Sequence, residues 1–209
     1  MIKKKLIFGT QCLGSYLNEK DSLSLLDQVY DFGIKKFDCA ERYPFPEKNE
    51  TFGLTEEIIG NWLKKNRIRK SILLDTKVTG RNFGEIKSVG GKRLIPQRII
   101  SAAEKSLKRL KTDYIDTFYI HWPDRFTNNF DRLYYFPSND PKFIPLEVQF
   151  EAILKLKKSG KIRNFGISNE SAWGLSKFQN LSRKNKIKLY SQEEYSLINR
   201  KVEIAMKEI

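Results

Sequence analysis

Sulfur and imidazole are scarce in this 209-residue chain: it has two cysteines, Cys12 and Cys39, and one histidine, His121. Two isolated cysteines form neither a disulfide framework nor a CxxC pair. One histidine is too few for a His/Cys metal cage, so no metal is expected. Long apolar runs are missing as well; none approaches the ~18 residues of a membrane span. Lys3, Lys4 and Lys5 followed by LIFGTQCLGSYL resemble a secretory leader, but Gly9, Thr10, Gln11 and Gly14 interrupt the apolar run. No A-x-A-like cleavage site follows, so the expected compartment is the cytoplasm, which suits free thiols. GxGxxG, the mark of a dinucleotide-binding open sheet, is absent, and so is the GxSxG elbow of a serine hydrolase. Acidic residues are in the minority, 25 against 39 Lys plus Arg, for a net charge of +14. The basic residues are spread over presumed helix faces (Lys64, Lys65; Lys155, Lys157, Lys158; Lys184, Lys186) and no nucleic-acid motif accompanies them. The excess therefore reads as a solvated surface, with no nucleic-acid or membrane partner expected.

What is present suits one globular domain: 40% hydrophobic and 12% aromatic residues, enough to build a core. Short β-rich runs alternate with longer helical ones. Strands are expected at 5–9 (with 6–8 buried), 35–38, 71–76 (buried throughout), 114–120, 163–167 and 188–192. Helices are expected at 22–32, 55–66, 96–110, 146–159, 171–183 and 201–209. Leu23, Leu26, Val29 and Tyr30 recur at helical spacing before Gly33, and Ile58, Ile59, Trp62 and Leu63 make another apolar stripe. Pro96 suits a first helical turn, where its missing N–H costs nothing. Six strand-then-helix units imply a parallel α/β sheet with helices outside it, either a (β/α) barrel or an open doubly wound sheet.

Ionisable residues collect at the ends of the expected strands. Asp38 ends the second, Tyr43 follows in its loop, Lys77 ends the third and His121 the fourth. In a closed sheet these meet on one rim, where loops after the strands build active sites. Tyr43 can give a proton to a carbonyl oxygen; a nearby Lys77 ammonium would favour its phenolate and lower its pKa. Asp38 would hold Lys77, and His121 would orient the carbonyl by a hydrogen bond. No nucleophile stands out, so the second reactant would be a hydride donor. Two long loops, 78–95 and 122–145, also follow strands. The second carries Trp122, Phe126, Phe130, Tyr134, Tyr135, Phe136 and Phe143, which could wall a substrate pocket, face a partner, or form the loop's own small core. Arg125 and Arg132 in it would favour an acidic substrate group.

These residues carry a resemblance. FDCAERY (37–43), DTKV (75–78), YIDTFYIHWPDR (114–125) and GKIRNFGISN (160–169) resemble the signatures of the aldo-keto reductases. YPFPEKNETFGLTEEIIGNWL (43–63) and YSLINR (195–200) are most similar to the Tas-type bacterial branch of that family. The resemblance spans essentially the whole chain. It implies a (β/α)8 TIM barrel and NADPH-dependent reduction of aldehydes and ketones, with Asp38, Tyr43, Lys77 and His121 as the catalytic tetrad. It further implies that Ser168, Asn169 and Gln192 hold the nicotinamide amide. Glu193 and Glu194 stand where that branch has Asn-Pro, a local departure.

Only 17 residues follow Gln192, fewer than the ~30 of a βα unit. One domain over 1–209 is thus expected to hold about six units and to lack the last two, including most of the cofactor's phosphate grip. The N-terminal hairpin that usually closes the family's barrel floor is also expected to be missing. Such a chain would be a truncated reductase, a barrel completed by another chain or by self-association through open sheet edges, or a non-catalytic fragment that serves in binding.

Overall fold

The computed structural model describes residues 5–82, 93–127 and 143–209. Its strands are β1 (Phe8–Gly9), β2 (Lys36–Asp38), β3 (Leu73–Val78), β4 (Ile115–Ile120), β5 (Ile162–Ser168) and β6 (Leu189–Gln192). Between and after them run α1 (Glu19–Asp31), α2 (Leu54–Asn66), α3 (Pro96–Arg109), α4 (Leu146–Lys158), α5 (Ala172–Lys184) and α6 (Val202–Ala205). All pairings are parallel, and the strand order is β1-β2-β3-β4-β5-β6. A doubly wound sheet reverses its order at a switch point; this sheet never does. It is an incomplete (β/α)8 barrel.

The strands separate two environments by their alternation. Phe37, Leu74, Phe118, Ile120, Phe165 and Ile167 are buried in two apolar clusters shared with the helices. The alternate residues Asp38, Asp75, Lys77, Tyr119 and Ser168 are buried too, on the concave face. The sheet is curled enough that Lys36 Nζ of β2 lies 5.2 Å from the ring centroid of Tyr190 on β6. None of the described helices is long and apolar enough to cross a membrane.

Several element ends differ from the sequence expectation, each for a local reason. β1 is only two residues long, and Leu6 and Ile7, expected in a buried strand, are exposed; the strand lies at the sheet's edge with one neighbour among the described residues. Residues 71 and 72 are outside β3, because Arg69–Ser71 forms a 3-10 turn, and Leu73 at the strand's start is exposed. α1 begins earlier than expected because the Asn18 side chain accepts the Asp21 N–H at 2.9 Å. Ser171 is likewise the cap of α5 and accepts from Gly174 N. The last helix is four residues rather than nine: Ile204 is almost fully exposed, so no buried apolar face sustains more turns.

Candidate active site

The C-terminal ends of β2, β3, β4 and β5 form one rim. Main-chain bonds continue past the strands: Cys39 N donates to Asp75 O (2.9 Å), Glu41 N to Lys77 O (3.1 Å) and His121 N to Val78 O (2.9 Å). Lys77 is 1% exposed. Its Nζ donates to both Asp38 oxygens (2.7 and 2.6 Å) and to the Cys39 carbonyl (2.8 Å). All three ammonium protons thus have an acceptor, as a buried cation requires.

Tyr43 is half-buried in the loop after β2. Its ring centroid is 5.4 Å from Lys77 Nζ, and it meets His121 edge-on at 5.7 Å between centroids. Burial first, then the Asp38 carboxylate, push the Tyr43 phenol above its ordinary pKa, with Arg42 pulling the other way. The expected downward pull from Lys77 does not prevail, because that ammonium is engaged by Asp38. His121 is buried, and burial, then Lys77 and Arg42, hold its pKa well below the usual value, so the imidazole is neutral. Its Nδ1 is buried without a hydrogen-bond partner among the described residues.

Ser168 and Gln192 are register partners at the ends of β5 and β6. Asn169 has a left-handed backbone (φ 52°), a conformation Asn tolerates better than most residues. Its N–H donates to Gln192 O (3.2 Å), and its Nδ2 to His121 O (2.9 Å) and Ser168 Oγ (3.2 Å). The histidine is therefore joined to the β5 end through the Asn169 amide. Asp38, Tyr43, Lys77 and His121 are brought together, and Ser168, Asn169 and Gln192 sit beside them along the same rim. Glu193 follows; its carboxyl accepts from Ser191 Oγ (2.8 Å) and Glu170 N (3.3 Å), and burial pushes it up to about 7.

The sequence reading gave no role to the residues that brace this rim. Glu41 Oε1 accepts from Thr79 N (2.7 Å) and Arg98 Nη2 (3.3 Å), while Arg98 Nη1 donates to Thr79 O (2.6 Å). This buried pair ties the β2 loop carrying Tyr43 to the end of β3. Asp124 accepts from Leu94 N (2.8 Å) and Ile144 N (2.7 Å), anchoring both points where the chain returns to its helices. A Cβ on Gly80 would lie 2.0 Å from Trp122 O, so only glycine lets the β3 and β4 loops touch. Both acids stand within the quoted motifs, but the contacts across strands that give them work are not visible in sequence. Arg125, expected to favour an acidic substrate group, instead pairs with Glu170 and donates to Ser171 Oγ (2.8 Å). Arg132, Phe130, Tyr134, Tyr135 and Phe136 lie outside the described residues.

The Aldo/keto reductase family model matches residues 5–208. Protein tas of Escherichia coli is 36% identical over 204 residues, covering 96% of this chain and 59% of that protein. Aldo-keto reductase YhdN of Bacillus subtilis is 30% identical over 201 residues, covering 93% and 51%. A thermostable aldo-keto reductase, crystallised with the inhibitor epalrestat, superposes with a TM-score of 0.70 at 26% identity over 95% of this chain and 61% of its own. The chain thus spans about three fifths or less of these relatives.

Proposed function

Since the chain belongs to the aldo/keto reductase family, we propose that it reduces aldehyde and ketone carbonyls to alcohols with NADPH, Tyr43 delivering the proton. The observation that carries this reading is the meeting of a buried Asp38–Lys77 pair, Tyr43 and a neutral His121 on one rim.

The residues beside that rim fit the nicotinamide end of the cofactor. A carboxamide presents one acceptor and two N–H donors. Asn169 Nδ2 is already engaged, which leaves its Oδ1 as an acceptor, and the Gln192 amide and the Ser168 hydroxyl can each donate and accept. A bound reduced nicotinamide supplies the hydride. This chain's own residues handle the charge that develops on the carbonyl oxygen. Neutral His121 donates one hydrogen bond to that oxygen and orients it. Tyr43 gives up its hydroxyl proton to the same oxygen. An alkoxide is a stronger base than a phenolate, so even a raised phenol pKa leaves the transfer downhill. Lys77 and Asp38 hold an ion pair beside the ring, whose ammonium attracts the phenolate left behind while burial and the Asp38 carboxylate oppose it. The cytoplasm is the compartment this reading implies.

The test is turnover of a simple aldehyde at saturating NADPH, with the 209-residue chain and with a chimera carrying the remaining C-terminal stretch of the tas relative. Tyr43→Phe is expected to lower turnover at least ~100-fold, the lower range for general acid catalysis, with cofactor affinity unchanged. A Phe variant that kept most of its turnover would remove Tyr43 from the role. Absence of turnover from the chimera would favour a binding role instead.

A further inference from the structure

A second ion pair lies in the barrel interior below the one already described. Asp75 is 1% exposed. It sits two residues before Lys77 on the same face of β3, in register with Asp38 of β2. Lys36 Nζ, also on β2, is 3.0 Å from Asp75 Oδ2, Thr117 on β4 is the register partner of Asp75, and neither carboxylate oxygen has a well-formed hydrogen bond among the described residues. Other titratable groups face it from each strand around it. Asp38 approaches from β2 and Lys77 from its own strand. Tyr119 of β4 lies between, its ring 5.9 Å from Lys77 Nζ; across the barrel Tyr190 of β6 lies under both Lys36 and Lys188. Tyr119 is pressed onto its register partner Gly166, where a Cβ would come within 2.3 Å of the ring. Two carboxylates and two ammonium groups are therefore stacked in adjoining layers, with tyrosines filling the interior around them.

We propose that Asp75, held by Lys36, is a positioning residue that sets the charge beneath the Asp38–Lys77 pair and through it the acidity of Tyr43. This deepens the reductase reading and rests on it for its catalytic consequence. Counted as ions, Lys36, Asp38, Asp75 and Lys77 cancel. Protonation of Asp75 leaves one net positive charge in the stack. Burial, with a contribution from Asp38, pushes the Asp75 carboxyl up to about 6, against the pull of Lys36, so the change falls in a pH range where the enzyme can be assayed. An excess cation beneath Asp38–Lys77 favours the phenolate that proton transfer leaves on Tyr43. Carbonyl reduction then gains as pH falls through about 6.

The primary experiment needs no turnover. In the 209-residue chain, carboxyl carbons of Asp and ring ζ carbons of Tyr are followed by NMR across the pH range. Asp75 is expected to titrate near 6, with a matching step in the Asp38 and Tyr43 signals. Asp75→Asn should abolish that step and Asp75→Glu retain it. Lys36→Met, at a partly exposed position, should move the midpoint upward because the carboxylate loses its cation. Asp38 and Tyr43 signals that ignore the Asp75 titration, or that keep the step in Asp75→Asn, would overturn the inference. In the chimera, the pH–rate profile should lose its inflection near 6 in Asp75→Asn. A profile identical to the parent's would also overturn the catalytic role, whereas a parent without turnover would refute the reductase reading and leave the NMR result standing.

Discussion

Single side chains on the rim are held by partners from other strands, and their cost of removal follows from that. Lys77→Met would leave the Asp38 carboxylate buried and unpaired. Breaking one side of a buried ion pair costs ~3–5 kcal/mol, while replacing both sides with neutral groups is far milder. Urea denaturation should therefore show Lys77→Met strongly destabilised and Asp38→Asn/Lys77→Met recovering most of the loss. A single variant within ~1 kcal/mol of the parent would mean that the pair behaves like an exposed one. Asp38, Lys77 and His121 were legible in sequence because a strand followed by a helix marks where its C-terminal end falls. The electrostatics were less legible. Sequence put Lys77 near Tyr43 but not how completely Asp38 engages it, and that engagement leaves burial to dominate the phenol. Arg125 and Glu170 are 45 positions apart, so their pairing had no local signature.

At the scale of elements, the βα order was legible from periodicity, whereas ends were set by caps and by what each end packs against. Asn18 and Ser171 fix two helix starts, and exposure of Ile204 shortens α6. Helix α2 shows a contact that periodicity cannot reveal. Gly60 sits in the middle of the helix, and a Cβ there would lie 2.1 Å from the Arg109 carbonyl at the end of α3. The lower helix propensity of glycine is offset by that close approach. Gly60→Ala should destabilise the chain by ~1–3 kcal/mol, the usual range for overpacking, despite alanine's better propensity; a more stable variant in thermal melts would show that the two helices can separate freely. At the β6 end, burial pushes the Glu193 carboxyl from an ordinary 4.5 up to about 7 in the folded chain. The folded state keeps that proton to higher pH than the unfolded one, so this group's contribution is full below 4.5 and is lost as pH rises through 7. Glu193→Gln should therefore gain stability relative to the parent between those two values and hold the gain above them. Parallel stability curves for the two proteins would place the carboxyl in water.

At the scale of the whole molecule, six alternating units made a parallel α/β sheet readable but left the barrel and the doubly wound sheet open, and the strand order without reversal decides for the barrel. β1 and β6 each have one strand neighbour among the described residues; pairing is a property of the assembled sheet, which no local pattern fixes. The same count bears on cofactor affinity. Phosphate sites of such barrels commonly follow strands seven and eight, and the chain covers 59% of the tas relative. Beyond Asn169 the rim borders a cavity of about 490 Å³ lined by Glu170, Glu193 and Glu194 as well as Lys201, a poor setting for a pyrophosphate. On the proposed reading, Ser168, Asn169 and Gln192 would address the nicotinamide alone. Most dinucleotide affinity comes from charge-assisted bonds to phosphates, and loss of two or three of these at ~1.5–3 kcal/mol each weakens binding by roughly three orders of magnitude or more. The 209 residues by themselves are expected to bind NADPH only weakly, and the chimera with the remaining stretch of the tas relative to regain binding and turnover together. Fluorescence titration with NADPH, on a sample shown to be monomeric, decides the point: a micromolar Kd would mean that these residues grip the phosphates from some other part of the surface.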